Sequence, residues 1–163
     1  MKLKDFSLQI EKVLIDEELM RLLVYPAKHR LDDPLSVDKP NILEMGEDEL
    51  WNLIDLHLVS AIKLDDLESN KICRVFYFAG DGRQTNSSYL FSNQEYNFDV
   101  LVPYEYQIKD KRLEMICDRL NELIFDKRIG GVGKTLFKRR HPINSPNGYL
   151  GFRLVYEFCK ENY

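Results

Sequence analysis

From Tyr149 to Phe158 the chain alternates, with Leu150, Phe152, Leu154, Tyr156 and Phe158 on one side and Tyr149, Arg153 and Glu157 on the other. Successive side chains of a strand point to opposite faces, so this run reads as a long strand with one packed face and one polar face. A strand of that kind calls for a sheet whose apolar side is covered.

The covering elements have a different period. Phe6, Ile10, Val13 and Leu14, then Leu19, Leu22 and Leu23, recur at helical spacing, and Asp16 is placed to cap a second segment ahead of Glu17 and Glu18. Between Asp110 and Phe125, Leu113, Ile116, Cys117, Leu120, Leu123 and Ile124 share one helical face, while Arg112, Glu114, Asp118, Arg119 and Glu122 face water and Asp110 caps. Lys71–Phe78 and Tyr96–Val102 carry the aromatic and β-branched residues of strands. Residues 28–45, with Pro34, Pro40, Asp32, Asp33 and Asp38, form an extended connector. Asp48–Leu67 fits a helix through Trp51, Ile54, Leu58 and Ile62, and fits a strand as well. The order is α-ββ-α-ββ, an α+β fold with a small antiparallel-rich sheet, helices packed on a face and a long inter-strand loop.

At 163 residues, 44% hydrophobic and 31% charged, the chain has the size and balance of one domain spanning residues 1–163. No apolar run approaches a bilayer span, and no apolar signal core follows the charges of the first residues, so neither a membrane partner nor secretion is expected. Cys73, Cys117 and Cys159 are odd in number and widely spaced, which reads as reduced core thiols in a reducing compartment.

Ile129-Gly130-Gly131-Val132-Gly133-Lys134-Thr135 imitates a phosphate-binding loop, but its context argues against one. The first glycine of Gly-x-x-x-x-Gly-Lys-Ser/Thr falls on Arg128, and a helical segment precedes the run while strand-like sequence follows it. Phosphate sites need the reverse, a strand leading into a helix N-terminus. His29, His57 and His141 lack metal-ligand spacing, and Ser87 and Ser88 lack a nucleophile turn. Asp32-Asp33 and Asp65-Asp66 read as solvated neighbours, His57 as a hydrogen-bonded structural residue, and Trp51 as a core or interface anchor. No cofactor, metal site or catalytic group is expected, so the chain is not read as an enzyme.

Two surfaces stand out instead. Between the strands ending at Phe78 and starting at Tyr96 lie residues 79–95, where a hairpin needs roughly two to five residues. Tyr89, Leu90 and Phe91 sit in the middle of that excursion, either tucked back on their own domain or carried on an arm that reaches another subunit. Although the formal net charge is -4, Asp126–His141 holds Lys127, Arg128, Lys134, Lys138, Arg139 and Arg140. That stretch suits nucleic-acid phosphates, a neighbour's acids such as Glu47, Asp48 and Glu49 or Asp65, Asp66 and Glu68, or a solvated strand edge.

The succession of Arg74-Val75-Phe76-Tyr77-Phe78, Gly80-Asp81-Gly82-Arg83, the strand Phe98–Val102, the helix through Ile116-Cys117-Asp118, the glycine-rich turn and Gly148-Tyr149-Leu150-Gly151-Phe152 resembles tail-terminator and tail-completion proteins of tailed bacteriophages. The likeness covers roughly residues 71–163. It implies a structural virion protein, assembled in the host cytoplasm, whose copies join through long loops into a ring at the head-tail interface. Its implied partners are itself, the phage connector or neck and tail-tube proteins, with genome DNA passing through the lumen. On that reading the interacting residues are Arg83, Tyr89, Leu90, Phe91, Lys134, Lys138, Arg139 and Arg140. The alternative is a nucleotide- or nucleic-acid-binding protein using the 130–135 turn and the basic 127–141 segment.

Overall fold

The computed structural model describes residues 2–86, 88–130 and 132–161. Helices α1 (Leu3–Leu14) and α2 (Glu17–Val24) open the chain, and Asp16 caps α2, its Oδ2 accepting from Leu19 N–H at 3.0 Å. Turns and a short 3-10 segment, Ile42–Glu44, fill the connector. The ambiguous segment then divides into helix α3 (Glu47–His57), strand β1 (Leu58–Val59) and turns. Strands β2 (Arg74–Thr85) and β3 (Ser88–Pro103), helices α4 (Tyr104–Asp110) and α5 (Arg112–Ile124), and strands β4 (Val132–Pro142) and β5 (Tyr149–Glu161) complete the chain.

The strands form a five-stranded sheet in the order β1-β2-β3-β5-β4. β1 runs parallel to β2, and the other three pairings are antiparallel. Helices cover one face, where Phe6, Leu14, Leu19, Ile116 and Leu120 pack against Val75, Phe98, Val100, Leu154 and Tyr156. The α+β expectation is met, with β1 and α4 added to the expected order.

On the opposite face a smaller cluster of Leu67, Phe76, Leu101 and Tyr149 forms one end of the sheet. Tyr149 was expected on the polar side; it is buried there because its hydroxyl lies 2.9 Å from the carbonyls of both Leu67 and Asn70 and accepts the Ile72 N–H. Leu150, expected inward, is 38% exposed.

The expected 79–95 loop is instead the continuation of two strands. The β2–β3 ladder runs through Ala79↔Tyr96, resumes at Gly82↔Gln94 and closes at Thr85↔Ser88. The glycines that read as loop signals occupy a bulge. Gln94 Nε2 donates to the Gly80 carbonyl at 3.0 Å, and a Cβ on Gly82 would sit 2.8 Å from Gln94 Oε1. Turn-forming residues mark bulges as well as loops, and only pairing tells them apart.

Arg112 also departs from expectation. Periodicity places it in water, yet it is fully buried. Lys111, at φ 58°, folds α4 against the start of α5, and Arg112 donates to the carbonyls of Leu22 and Tyr25 and to Asp110. Asp110 therefore holds Arg112 rather than capping α5.

Candidate functional site

The sheet face away from the helices is a ladder of paired charge. Asp99, with its side chain 3% exposed, takes two bonds from Arg153, Nε to Oδ1 at 2.7 Å and Nη2 to Oδ2 at 2.9 Å. Glu95 is comparably buried and accepts from Arg139 at 3.2 and 3.3 Å, with Arg83 at 3.5 Å. Such carboxylates survive burial only because a cation faces each of them.

A bulge in β4 arranges this. The ladder passes from Phe137↔Tyr156 directly to Arg139↔Val155, so Lys138 is an extra residue. One inserted residue reverses the alternation, turning Phe137 to the helix side and Arg139 to the polar side. Phe137 meets the Tyr156 ring edge-on at 5.5 Å, and Arg140, next on the helix side, lies over the Phe152 ring at 5.0 Å.

The basic stretch is thus the outer edge strand of the sheet, and much of its charge is answered within the chain. Lys134 pairs with Asp126 at 3.0 Å, Lys138 with Glu157 at 3.6 Å and Arg139 with Glu95. Arg140, Lys127 and Arg128 meet no carboxylate within ion-pair distance among the described residues. Gly133, at φ 81°, and Lys134 lie within the first residues of strand β4, so Lys134 heads no phosphate-cradling helix end.

Beneath the β4 edge lies a groove of about 390 Å³ between α5 and the β4–β5 ladder, lined by Cys117, Phe125, Phe137 and Leu154, with Asp118 and Arg140 at its rim. Burial pushes the Cys117 thiol up to about 12, so this cysteine is packing rather than a nucleophile. At the far end of the β2–β3 ribbon, Tyr89 is 76% and Leu90 43% exposed, while Phe91 is half-buried. The structure therefore places the expected interaction residues in two regions, the ribbon end with Tyr89, Leu90 and Phe91 and the β4 edge with Lys134, Lys138, Arg139 and Arg140, and Arg83 joins the β4 edge by sharing Glu95 with Arg139. Ser87 and Gly131 lie outside the described residues.

His57 is buried, its Nδ1 2.7 Å from the Cys73 carbonyl, and burial lowers its pKa; it is a neutral structural donor. Asp66 is not a solvated neighbour of Asp65, because it forms a two-pronged pair with buried Arg74. Among the described residues no group of three or more His, Cys, Asp or Glu is placed to hold a metal ion, and no helix is long and apolar enough to cross a membrane.

A model of the YomW family matches residues 16–158, the span that includes both surfaces. The chain belongs to the YomW family. The SPbeta prophage-derived protein YomW of Bacillus subtilis strain 168 is 33% identical over 155 residues, covering 90% of this chain and 89% of that protein. The YomW match begins at the α2 cap and ends on β5, leaving out α1, whose Phe6, Ile10 and Leu14 nonetheless fill the same core.

The sequence marks Trp51 as a core or interface anchor and Phe137 as the one aromatic of the basic run, and gives no sign that Phe125 and Phe137 wall one groove. All three are about half-exposed. The available signal was an aromatic residue amid charges at a helix end and on a basic strand.

Proposed function

We propose that this YomW-family chain is a structural subunit of a phage particle, a tail-terminator or tail-completion protein whose copies form a ring at the head-tail interface. Two things support the reading: the order of elements resembles that class of protein, and the chain's YomW relative is prophage-derived. The observation that carries it is the β2–β3 ribbon. β1 pairs with β2 at Val75 and Phe76, so among the described residues no strand lies beside the outer edge of β2 from Ala79 to Gln84, and the same end presents Tyr89 and Leu90. A strand edge without a neighbour and exposed apolar residues together suit contact with another copy. Function would then be geometric, since a heterologous contact that closes on itself fixes a ring diameter without a chemical step.

The test is imaging of tail tubes purified from a related phage after addition of the protein. Capping of one tube end supports the proposal, and absence of binding to tubes or necks rejects it. A Tyr89→Ser/Leu90→Ser chain that keeps its far-UV circular dichroism but no longer caps assigns the contact to the ribbon end; undiminished capping removes that assignment. DNA binding that weakens steeply with salt and disappears in Arg140→Ala would favour phosphate recognition instead.

A further inference from the structure

The two edges of the sheet differ in charge and in shape. At the β1 edge, α3 follows the connector into β1 and exposes Glu47, Asp48, Glu49 and Asp55. None of these carboxylates meets a Lys or Arg within ion-pair distance among the described residues. Trp51 stands one turn from Glu47 and one from Asp55, and is 47% exposed. Acids in a first turn suit the helix dipole. That accounts for Glu47, Asp48 and Glu49 but not for Asp55 in the last turn, and it leaves the exposed indole unexplained.

At the β4 edge the signs and shapes are opposite. The groove of about 390 Å³ is open between Phe125 and Phe137, which are 46% and 44% exposed. Arg140 stands at its rim and Lys127 and Arg128 follow in the adjoining turn, and none of these three meets an acid within ion-pair distance among the described residues.

We infer that α3 of one copy docks into the α5–β4 groove of the next, with Trp51 inserted between Phe125 and Phe137 and the α3 carboxylates facing Arg140 and Arg128. This rests on the reading of the chain as self-assembling, and it places a contact away from the ribbon end. The aromatic walls receive an anchor that buries roughly 150–250 Å², and Asp118 at the rim offers an acceptor for the indole N–H. Charge complementarity selects the partner: unanswered acids on one sheet edge meet unanswered cations on the other. Because the two surfaces differ and occupy opposite edges of one sheet, the contact is heterologous, and each copy leaves one donor and one acceptor surface for its neighbours.

Trp51 is the single tryptophan of the chain, so its emission reports this contact directly. The full chain is followed from micromolar to millimolar concentration, alone and with tail tubes, by sedimentation, tryptophan emission and acrylamide quenching. The expected result is association accompanied by a blue shift and a severalfold loss of quenching, and weakened by roughly tenfold or more in Trp51→Ala. Two further variants, Glu47→Lys/Asp48→Lys and Arg128→Glu/Arg140→Glu, should each fail to associate alone and should associate when mixed, because each retains the surface that matches the other. That mixing result also shows that both variants fold. Association in which Trp51 stays as quenchable as in the dilute chain, or a mixture that stays dissociated, overturns this interface and leaves the ring reading standing. Absence of association both alone and on tail tubes overturns both.

Discussion

The Arg112 guanidinium donates to the Leu22 main-chain carbonyl at 2.7 Å across 90 residues of sequence, and so ties the end of α2 to the start of α5. The last carbonyls of a helix have no partner within it, and here a buried cation supplies one. The same guanidinium grips Asp110 through Nε and Nη2.

Removing that side chain leaves Asp110 buried without its cation and two carbonyls without donors. Arg112→Met should lower unfolding free energy by about 3–5 kcal/mol, read from urea midpoints. Arg112→Lys should recover little, because one ammonium cannot match a planar fork spread over three acceptors.

Asp16 performs two tasks, capping α2 and pairing with Arg119 through both carboxylate oxygens. Burial raises its pKa, but the bonds from Arg119 and Leu19 N–H outweigh that and leave it lowered. Asp16→Asn keeps an acceptor for the cap and should cost about 1 kcal/mol or less, whereas Asp16→Ala should cost about 1–2 kcal/mol. Equal losses would show that the cap contributes nothing.

Stability should fall on acidification in two stages. Burial lowers the His57 pKa from 6.5, so the unfolded chain takes up a proton that the folded chain refuses, and stability is lost as pH falls below that value. The hydrogen bonds from Arg74 hold the Asp66 carboxyl at about 2 against an ordinary 3.8, so its contribution is full above 3.8 and disappears as pH falls through about 2. Denaturant midpoints measured from neutral to acid pH should show both stages, and Asp66→Asn should shrink the lower one, leaving the part that the lowered Asp16 carboxyl contributes.

Burial pushes the thiols of Cys73 and Cys117 up to about 12. In the native protein at mildly alkaline pH both should be inert to a disulfide reagent, and denaturant should release all three cysteines of the chain. Rapid labelling of Cys117 without denaturant would show that the groove opens to its floor.

Gly151 lies where β5 passes under Leu101 and Ile143. A Cβ there would stand 2.7 Å from Leu101 Cδ2 and 2.9 Å from Ile143 Cγ1. Leu101 is 1% exposed and has no room to yield. Gly151→Ala should therefore cost about 1–3 kcal/mol by overpacking, measurable as a drop in thermal midpoint.

Much of the fold was legible because its signals are local. The alternation of Leu154, Tyr156 and Phe158, the spacing of Phe6, Ile10 and Leu14, and the Asp16 cap each concern residues within a turn or a few strand positions of one another, and each appears as read. The candidate site was less legible. The glycines at Gly80 and Gly82 signal a loop and a bulge alike, and the basic β4 residues gave no sign that Glu95 and Glu157 answer part of their charge.

What the sequence alone determined, then, is the type and amphipathic face of most elements, since periodicity and capping depend on near neighbours. Tertiary structure decided which charges are buried and which surfaces remain open. Arg119 finds Asp16 across 103 residues, and Trp51 and the Phe125–Phe137 groove stand at opposite sheet edges only because β5 inserts between β3 and β4. A partner brought close by folding leaves no local trace in the chain, so the distinction between a solvated cation and a buried one is made in three dimensions.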